Sequence, residues 1–498
     1  MIYVLMSSLL TVLSMPGFLA GFLVWICLIP LLKAFNRRGP FWGALYGFVF
    51  YLLFILADLF WVLPVLTDNL PQVFSRFPSW VGVFVFILMG IVEAFPFAGF
   101  GFVYGLAERS IKKNPLREIL FTASAYTFFE YLRGLGDMGF TGGRLSDALY
   151  RDTGVLQLAS IGGSLGLTFL IVAVNVIGYR ILRRSTRAYT KIAGLVLTIC
   201  FISNFVALKL PPITSGGVSI TAIQTNTSQD AKYSRTVYHL WSDIKPLLKA
   251  TKDSVVVLPE DVFPVDIRGT VVENELIRIA QQNNLTVFMG TLLKDEDSVR
   301  NAVLAFDADG FKDSYSKVKL FPFVEKLPYE EVFGFLSFLK GMAYLAPGNE
   351  YSVFNIEGYP SLGVQICFES YFSEVSRQLV ENGAQLLIVC TNDGWFAYNV
   401  ALKQHFAKSV IRAVETHRQV IQVSNAGITG AVDPYGRIVK IAPLRETAVV
   451  QFDAFPSEMR TVSTTAGEYM AFVSAGILIV LLVFPGERSL SVRRRIWK

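Results

Sequence analysis

The chain has 498 residues, of which 53% are hydrophobic and 17% charged, against roughly a quarter charged in an ordinary soluble protein. The formal net charge is +6, but Lys and Arg cluster beside apolar stretches instead of forming one basic face, which excludes nucleic acid as the expected partner and points to a membrane surface. The cysteines Cys27, Cys200, Cys367 and Cys390 contain no CxxC spacing, so no metal site, no disulfide framework and no cofactor are expected. A Cys367–Cys390 bridge is compatible with the sequence but would consume the best nucleophile in the chain.

Apolar segments run at 2–15, 17–35, 41–63, 80–106, 116–132, 155–179, 190–209 and 467–485, near the roughly 20 residues that a membrane-crossing helix takes. The first resembles a signal peptide in length, but it lacks a basic start and apolar character resumes after Pro16, so a retained helix is expected. Charges in or beside these segments, notably Asp58, Glu93, Glu130 and Arg133, are costly in lipid and are expected to pair with one another rather than to meet lipid headgroups.

Positive residues near short loops stay in the cytoplasm. With the N-terminus inside, the cytoplasmic connections hold seventeen basic residues: Lys33, Arg37, Arg38, Arg109, Lys112, Lys113, Arg117, Arg180, Arg183, Arg184, Arg187, Lys191, Arg488, Arg493, Arg494, Arg495 and Lys498. The opposite loops hold four, Arg76, Arg133, Arg144 and Arg151. This asymmetry puts residues 210–466 outside the cytoplasm.

That region alternates short β-branched runs with amphipathic segments, which predicts an α/β domain with helix-covered sheets. Strands are expected at Val218–Gln224, Ser254–Leu258, Leu285–Gly290, Asn301–Asp307, Ser361–Cys367, Gln385–Cys390, Gln419–Ser424 and Ala448–Phe452. Helices are expected at Val237–Ala250, Glu273–Gln282, Tyr371–Glu381 and Val400–Thr416, and a long loop or lid from Phe321 to Asn349.

Three segments place a reactive side chain where a strand ends, a usual site of catalysis on α/β scaffolds. They are Leu258-Pro259-Glu260, Ser316-Lys317-Val318-Lys319 leading to Phe323-Val324-Glu325, and Ile366-Cys367-Phe368-Glu369. Each alone fits a surface charge or a buried small thiol; their coincidence on one domain gives the signal. Lys319 is expected to face water. His405 and His417 lie near one helical pattern with no acid partner evident at suitable spacing and no metal-site partner set.

The three segments resemble the nitrilase superfamily, and the whole chain resembles the bacterial apolipoprotein N-acyltransferase family. The likeness rests further on Gln224 to Lys232, Thr391-Asn392-Asp393-Gly394-Trp395-Phe396, Arg412-Ala413-Val414-Glu415 and Ser424 to Gly430. Val324 stands where the family has Gly, and Gly139-Phe140-Thr141-Gly142-Gly143-Arg144 replaces its Gly-Phe-Pro-Trp stretch.

The resemblance implies a multi-pass α-helical membrane bundle plus an α/β nitrilase-like domain, an α-β-β-α sandwich. Residues 1–209 would form seven membrane helices, 210–466 the periplasmic catalytic domain, and 467–498 the last helix and a basic cytoplasmic tail. It implies Cys367 as nucleophile, Glu260 as general base and Lys317 as the cation beside the reacting carbonyl, supported by Glu325, Phe368, Glu369, Asn392 and Trp395. The implied partners are a glycerophospholipid acyl donor and diacylglyceryl-cysteine lipoproteins as acceptors, in the bacterial plasma membrane. A membrane-tethered nitrilase-type amidase and a non-catalytic membrane binding protein are the alternatives.

Overall fold

The computed structural model describes residues 1–74, 78–183, 187–211, 217–295, 298–335 and 345–484. Arg76, Arg184, the basic tail and part of the expected lid lie outside the described residues. Four helices among the described residues are long and apolar enough to cross a membrane: Pro40–Asp58, Ser79–Ile111, Ala159–Leu182 and Arg187–Lys209. The expected 116–132 segment is the helix Pro115–Leu132, started by Asn114, whose side chain accepts from the Arg117 N–H, and by Pro115 in the first turn. Ile2–Ser14 and Tyr469–Val483 are shorter apolar helices. The stretch expected as one span at 17–35 is instead a 3₁₀ turn, Gly21–Trp25, followed by the short helix Ile29–Phe35 with Pro30 in its first turn.

Contacts divide the chain into two compact units. Met1–Phe60, Phe86–Leu210 and Ala466–Lys498 form the helical unit, and Trp61–Val85 with Pro211–Thr465 form the other. In the helical unit, Gly43 and Gly101 let the backbones of two helices touch, since a Cβ on either would strike the other's carbonyl oxygen. Small residues at such crossings replace the hydrophobic driving force that lipid removes.

Of the charges expected to pair with one another, Glu93 and Arg133 do, while Glu130 meets neutral donors. Arg133 Nη1 lies 2.7 Å from Glu93 Oε2 and its guanidinium sits over the Tyr51 ring. Arg180 bonds Glu118, and Glu130 accepts from Thr168 and from the Leu145 N–H. The loop Gly139 to Arg144 is buried, and Arg144 reaches Glu468 at 3.2 Å.

Among the described residues the second unit holds twelve strands: β1 Val218–Gln224, β2 Ser254–Val257, β3 Leu285–Lys294, β4 Val299–Asp307, β5 Gly310–Ser316, β6 Val353–Phe354, β7 Leu362–Ile366, β8 Leu386–Thr391, β9 Val420–Ser424, β10 Gly430–Val432, β11 Ile438–Ile441 and β12 Ala448–Ala454. They form two six-stranded sheets, ordered β12-β1-β2-β3-β4-β5 and β11-β10-β9-β8-β7-β6. The eight expected strands are all present. The four others are short or polar: β6, β10 and β11 run for only two to four residues, and β5 carries Lys312, Asp313, Ser314 and Ser316.

Alternation within β2 explains the layering. Val255 and Val257 point at the other sheet and pack with Val364, Ile366, Ile388 and Ile421. Val256 points outward, under Leu240 and Ile244 of the helix Val237–Ala250 and Leu276 of the helix Val271–Asn283. Helices Ser373–Glu381 and Asn399–Thr416 lie against the second sheet, which completes an α-β-β-α sandwich. The parallel pairings β1-β2-β3 and β7-β8-β9 require helical crossovers, and they bring the carboxyl ends of several strands to one edge, where ligands bind in such sheets.

Removing one partner of a buried ion pair strands the other charge, at a cost of about 3–5 kcal/mol, whereas replacing both is far milder. Arg133→Met should therefore lower the unfolding temperature of the detergent-solubilised protein markedly. Adding Glu93→Gln should recover most of the loss, as read by thermal unfolding of the two variants.

Candidate active site

Glu260 follows β2 after Leu258-Pro259, and Lys317 follows β5 directly. Both are buried. Lys317 Nζ sits between two carboxylates, 3.2 Å from Glu260 Oε1 and 2.9 Å from Glu325 Oε1. Asn301 on β4 donates its Nδ2 to the same two oxygens, at 2.8 and 3.1 Å. The remaining carboxylate oxygens accept main-chain N–H groups, Glu260 from Asn392 at 2.9 Å and Glu325 from Phe321 at 2.7 Å. Burial pulls the Lys317 ammonium down, but Glu260 and Glu325 outweigh it and hold it well above its ordinary value.

Cys367 is the first residue after β7 and is partly exposed; Cys390 is buried, and both are unbridged. Its backbone is left-handed, with φ 51°, a conformation that costs a non-glycine residue about 1–3 kcal/mol and persists only where neighbours enforce it. Glu369 is one enforcer. Its carboxylate accepts from the Ile366 N–H at 2.8 Å, from Val318 at 2.7 Å and Lys319 at 3.2 Å, and from the Tyr315 hydroxyl at 2.9 Å. One side chain thus ties the Cys367 turn to the Lys317 strand end. Burial, then Glu260, push the Cys367 thiol well above its ordinary value, so the resting group is the protonated thiol.

The other expected supporting residues divide. Asn392 is locked by Gln229 Nε2 at 2.8 Å and Asn425 Nδ2 at 3.0 Å on its Oδ1, which presents its N–H to Glu260. Phe368 packs on Phe321 and Phe372 and props the turn from behind. Trp395 lies beside Tyr233 and forms part of a cavity wall. Lys319 is partly exposed and pairs with Glu374, as expected for a solvent-facing neighbour. In the lysine segment the left-handed residue is Phe323, with φ 62°, so the turn places no demand for Gly at Val324.

The cavity measures about 470 Å³ and contains Glu260, Lys317, Glu325 and Cys367 on its wall. Much of the rest is apolar, including Trp61, Val62, Val65, Leu66 and Leu70 from the segment after the helix Pro40–Asp58. Trp61 is fixed there by Gln404 at 2.8 Å and by the Phe396 ring; nothing in its local sequence separates it from a membrane-interface aromatic. Lys232 also faces the cavity. It is buried, its ammonium has no hydrogen-bond partner among the described residues, and Asp261 Oδ2 is 3.8 Å away.

The expectation that His405 has no acid partner is overturned. Asp393 Oδ1 lies 2.7 Å from its Nδ1, because the loop after β8 and the helix Asn399–Thr416 fold back on one another. An atom each of Cys367, Asp393 and His405 of the type that binds metals falls within 4.8 Å of the others, a grouping that linear spacing conceals. His417 is elsewhere, near Ser457 and Tyr435.

A carboxylate at Glu369 meets only donors, whereas an amide would set its own N–H₂ against one of them and leave buried groups unpaired, at about 1–3 kcal/mol each. Glu369→Gln should therefore depress the unfolding temperature by several degrees, while Lys319→Met, which removes an exposed pair, should change stability by less than about 1 kcal/mol. Thermal unfolding of the two variants side by side checks this.

Comparison with known proteins places these residues in context. Residues 256–462 match the Carbon-nitrogen hydrolase family, and residues 7–177 match the Apolipoprotein N-acyltransferase N-terminal domain. The apolipoprotein N-acyltransferase of Thermotoga maritima is 46% identical over 97% of this chain and 94% of its own length. That of Geobacter metallireducens is 28% identical over 96% of this chain and 94% of its own. A Saccharomyces cerevisiae member of branch 10 of the nitrilase superfamily has a solved structure that aligns with 49% of this chain and 92% of its own, at 19% identity and a TM-score of 0.36.

Proposed function

The chain belongs to the apolipoprotein N-acyltransferase family, and on that premise we propose that it moves a fatty acyl chain from a glycerophospholipid, through a thioester on Cys367, to the α-amine of the diacylglyceryl-cysteine of apolipoproteins. The observation that carries this is a single cavity in which a partly exposed thiol meets the Glu260–Lys317 pair while much of the remaining wall is apolar. An acyl chain fits such a wall; a small amide substrate has no use for it.

Glu260 takes the thiol proton as the sulfur attacks the ester carbonyl. Lys317 faces the oxygen on which negative charge develops, a role in which loss of one donor typically costs about 3–4 kcal/mol. As the tetrahedral species collapses, Glu260 returns the proton to the departing glycerol oxygen, releasing lysophospholipid and leaving the thioester. The acceptor's α-amine then attacks, its proton passes through Glu260 to the leaving sulfur, and the products are an amide and the free thiol. Glu325 shares Lys317 with Glu260 and keeps the ammonium aimed. Lys232 and Arg235, both on the cavity wall, supply the positive charge that a lipid phosphate meets.

Both substrates live in lipid, which gives a reason to join this domain to membrane helices. We assign residues 1–209 to the membrane, 210–466 to the periplasmic side as the catalytic domain, and 467–498 to a last helix and a cytoplasmic tail, in a bacterial inner membrane. The support is the excess of basic residues in the connections taken as cytoplasmic.

Lys317→Met should slow thioester formation by about a hundredfold or more, with Lys319→Met near wild type, measured with a phospholipid donor alongside thermal unfolding. Equal loss in both variants, or loss that tracks stability, would remove Lys317 from the transition state. For topology, a reporter fused after Lys498 should read as cytoplasmic and one inserted near Lys252 as external; a cytoplasmic signal near Lys252 contradicts the assignment.

A further inference from the structure

A second buried group touches the Cys367 turn and has no part in the steps above. His405 is almost completely buried, and both of its ring nitrogens make short contacts. Nδ1 is 2.7 Å from Asp393 Oδ1. Nε2 is 3.1 Å from the Cys367 carbonyl oxygen and 2.9 Å from Ser370 Oγ. A main-chain carbonyl only accepts, so Nε2 carries a proton. The Ser370 hydroxyl is itself spent on the same Cys367 carbonyl at 2.9 Å, which leaves its oxygen free to accept from Nε2.

The other nitrogen is settled by what surrounds Asp393. Its Oδ1 also takes the Thr391 hydroxyl at 2.9 Å, and its Oδ2 takes the Ser424 hydroxyl at 3.1 Å. A carboxylate that accepts throughout leaves Nδ1 to donate. The Tyr371 ring stacks on the imidazole with centroids 5.4 Å apart.

We infer that His405 is a positioning residue for the acyl transfer: held as an imidazolium by Asp393, it clamps the Cys367 carbonyl and so fixes the left-handed turn that aims the thiol at the acyl donor. The turn is then braced on both sides, by Glu369 on the Ile366 N–H and by His405 on the Cys367 carbonyl. Titration points the same way. Burial pulls the His405 imidazolium down, but Asp393, the Cys367 carbonyl and Glu260 outweigh it and hold it above its ordinary value. The charge-assisted grip is fully present below the ordinary imidazole value and is lost as pH rises through the raised one. The inference rests on the assignment of Cys367 as the nucleophile.

The chain has three histidines, His239, His405 and His417, so the full-length protein labelled with ¹⁵N-histidine in detergent gives a spectrum that His405→Gln assigns directly. At pH 7 the His405 signal should show both nitrogens protonated, and in Asp393→Asn it should become that of a neutral ring. A neutral ring in the unsubstituted protein at pH 7 overturns the inference.

Thioester formation from dipalmitoyl phosphatidylglycerol supplies the functional arm. His405→Gln, which keeps a donor for the Cys367 carbonyl but no charge, should lower kcat about tenfold or more with KM nearly unchanged, since small misplacement of a reacting group costs rate before it costs binding. Asp393→Asn should act in the same direction and serves if the first variant does not fold. Iodoacetamide should still alkylate Cys367 stoichiometrically in both. Unchanged kcat, or a loss equal to the loss of folded protein, overturns the positioning role. Absence of any thioester on the unsubstituted protein would instead refute the nucleophile assignment, and the histidine spectrum would still decide whether the imidazolium exists.

Discussion

An ammonium removed from water must be surrounded by compensating charge, and the catalytic unit is organised around that requirement at Lys317. Its two carboxylates come from different places, Glu260 from the end of β2 and Glu325 from the loop after β5. Neither carboxylate tolerates burial alone, so each is completed by Asn301 and by a main-chain N–H. One of those N–H groups belongs to Asn392, at the end of β8 in the opposite sheet. The two sheets must therefore pack at one register for the cluster to exist, and Cys367, at the end of the strand beside β8, arrives at the same edge as a consequence. Reactive geometry here follows from satisfying a buried cation.

The same constraint explains how charge is divided at the site. The thiol is held protonated by burial and by Glu260, and the ammonium is held charged by Glu260 and Glu325. In the proposed mechanism the thiol therefore stays silent until an ester carbonyl offers an oxygen to Lys317 and a reason for Glu260 to take the proton. A resting thiolate would be exposed to oxidation and metals. A neutral thiol activated only on contact with substrate avoids both.

Much of this was legible in the sequence, for physical reasons that can be named. β2, β7 and β8 are short strands buried along their length, and Glu260, Cys367 and Asn392 follow their ends, so their coincidence on one domain is readable although each alone is ordinary. Lys317 is marked by its proximity to an apolar turn. Asn301 is not, because an Asn opening a strand is ordinary, and its value lies in contacts made across the sheet to Glu260 and Glu325. His405 does not stand out, because its acid partner Asp393 lies twelve residues upstream in a different element, a relation that only the fold creates. The break in the 17–35 segment is not legible, because hydropathy measures length of apolar sequence and is blind to the local turn around Gly21 and Pro30.

The proposed function turns on a covalent acyl-enzyme at Cys367. Intact and peptide mass spectrometry of the purified full-length protein after incubation with dipalmitoyl phosphatidylglycerol tests it most directly. The predicted result is the addition of one palmitoyl group, mapped to Cys367, released by hydroxylamine, and lost on addition of a diacylglyceryl-cysteine peptide as that peptide gains an amide-linked palmitoyl chain. An adduct on another residue, no adduct on folded protein, or release of free fatty acid without transfer to the peptide would contradict it.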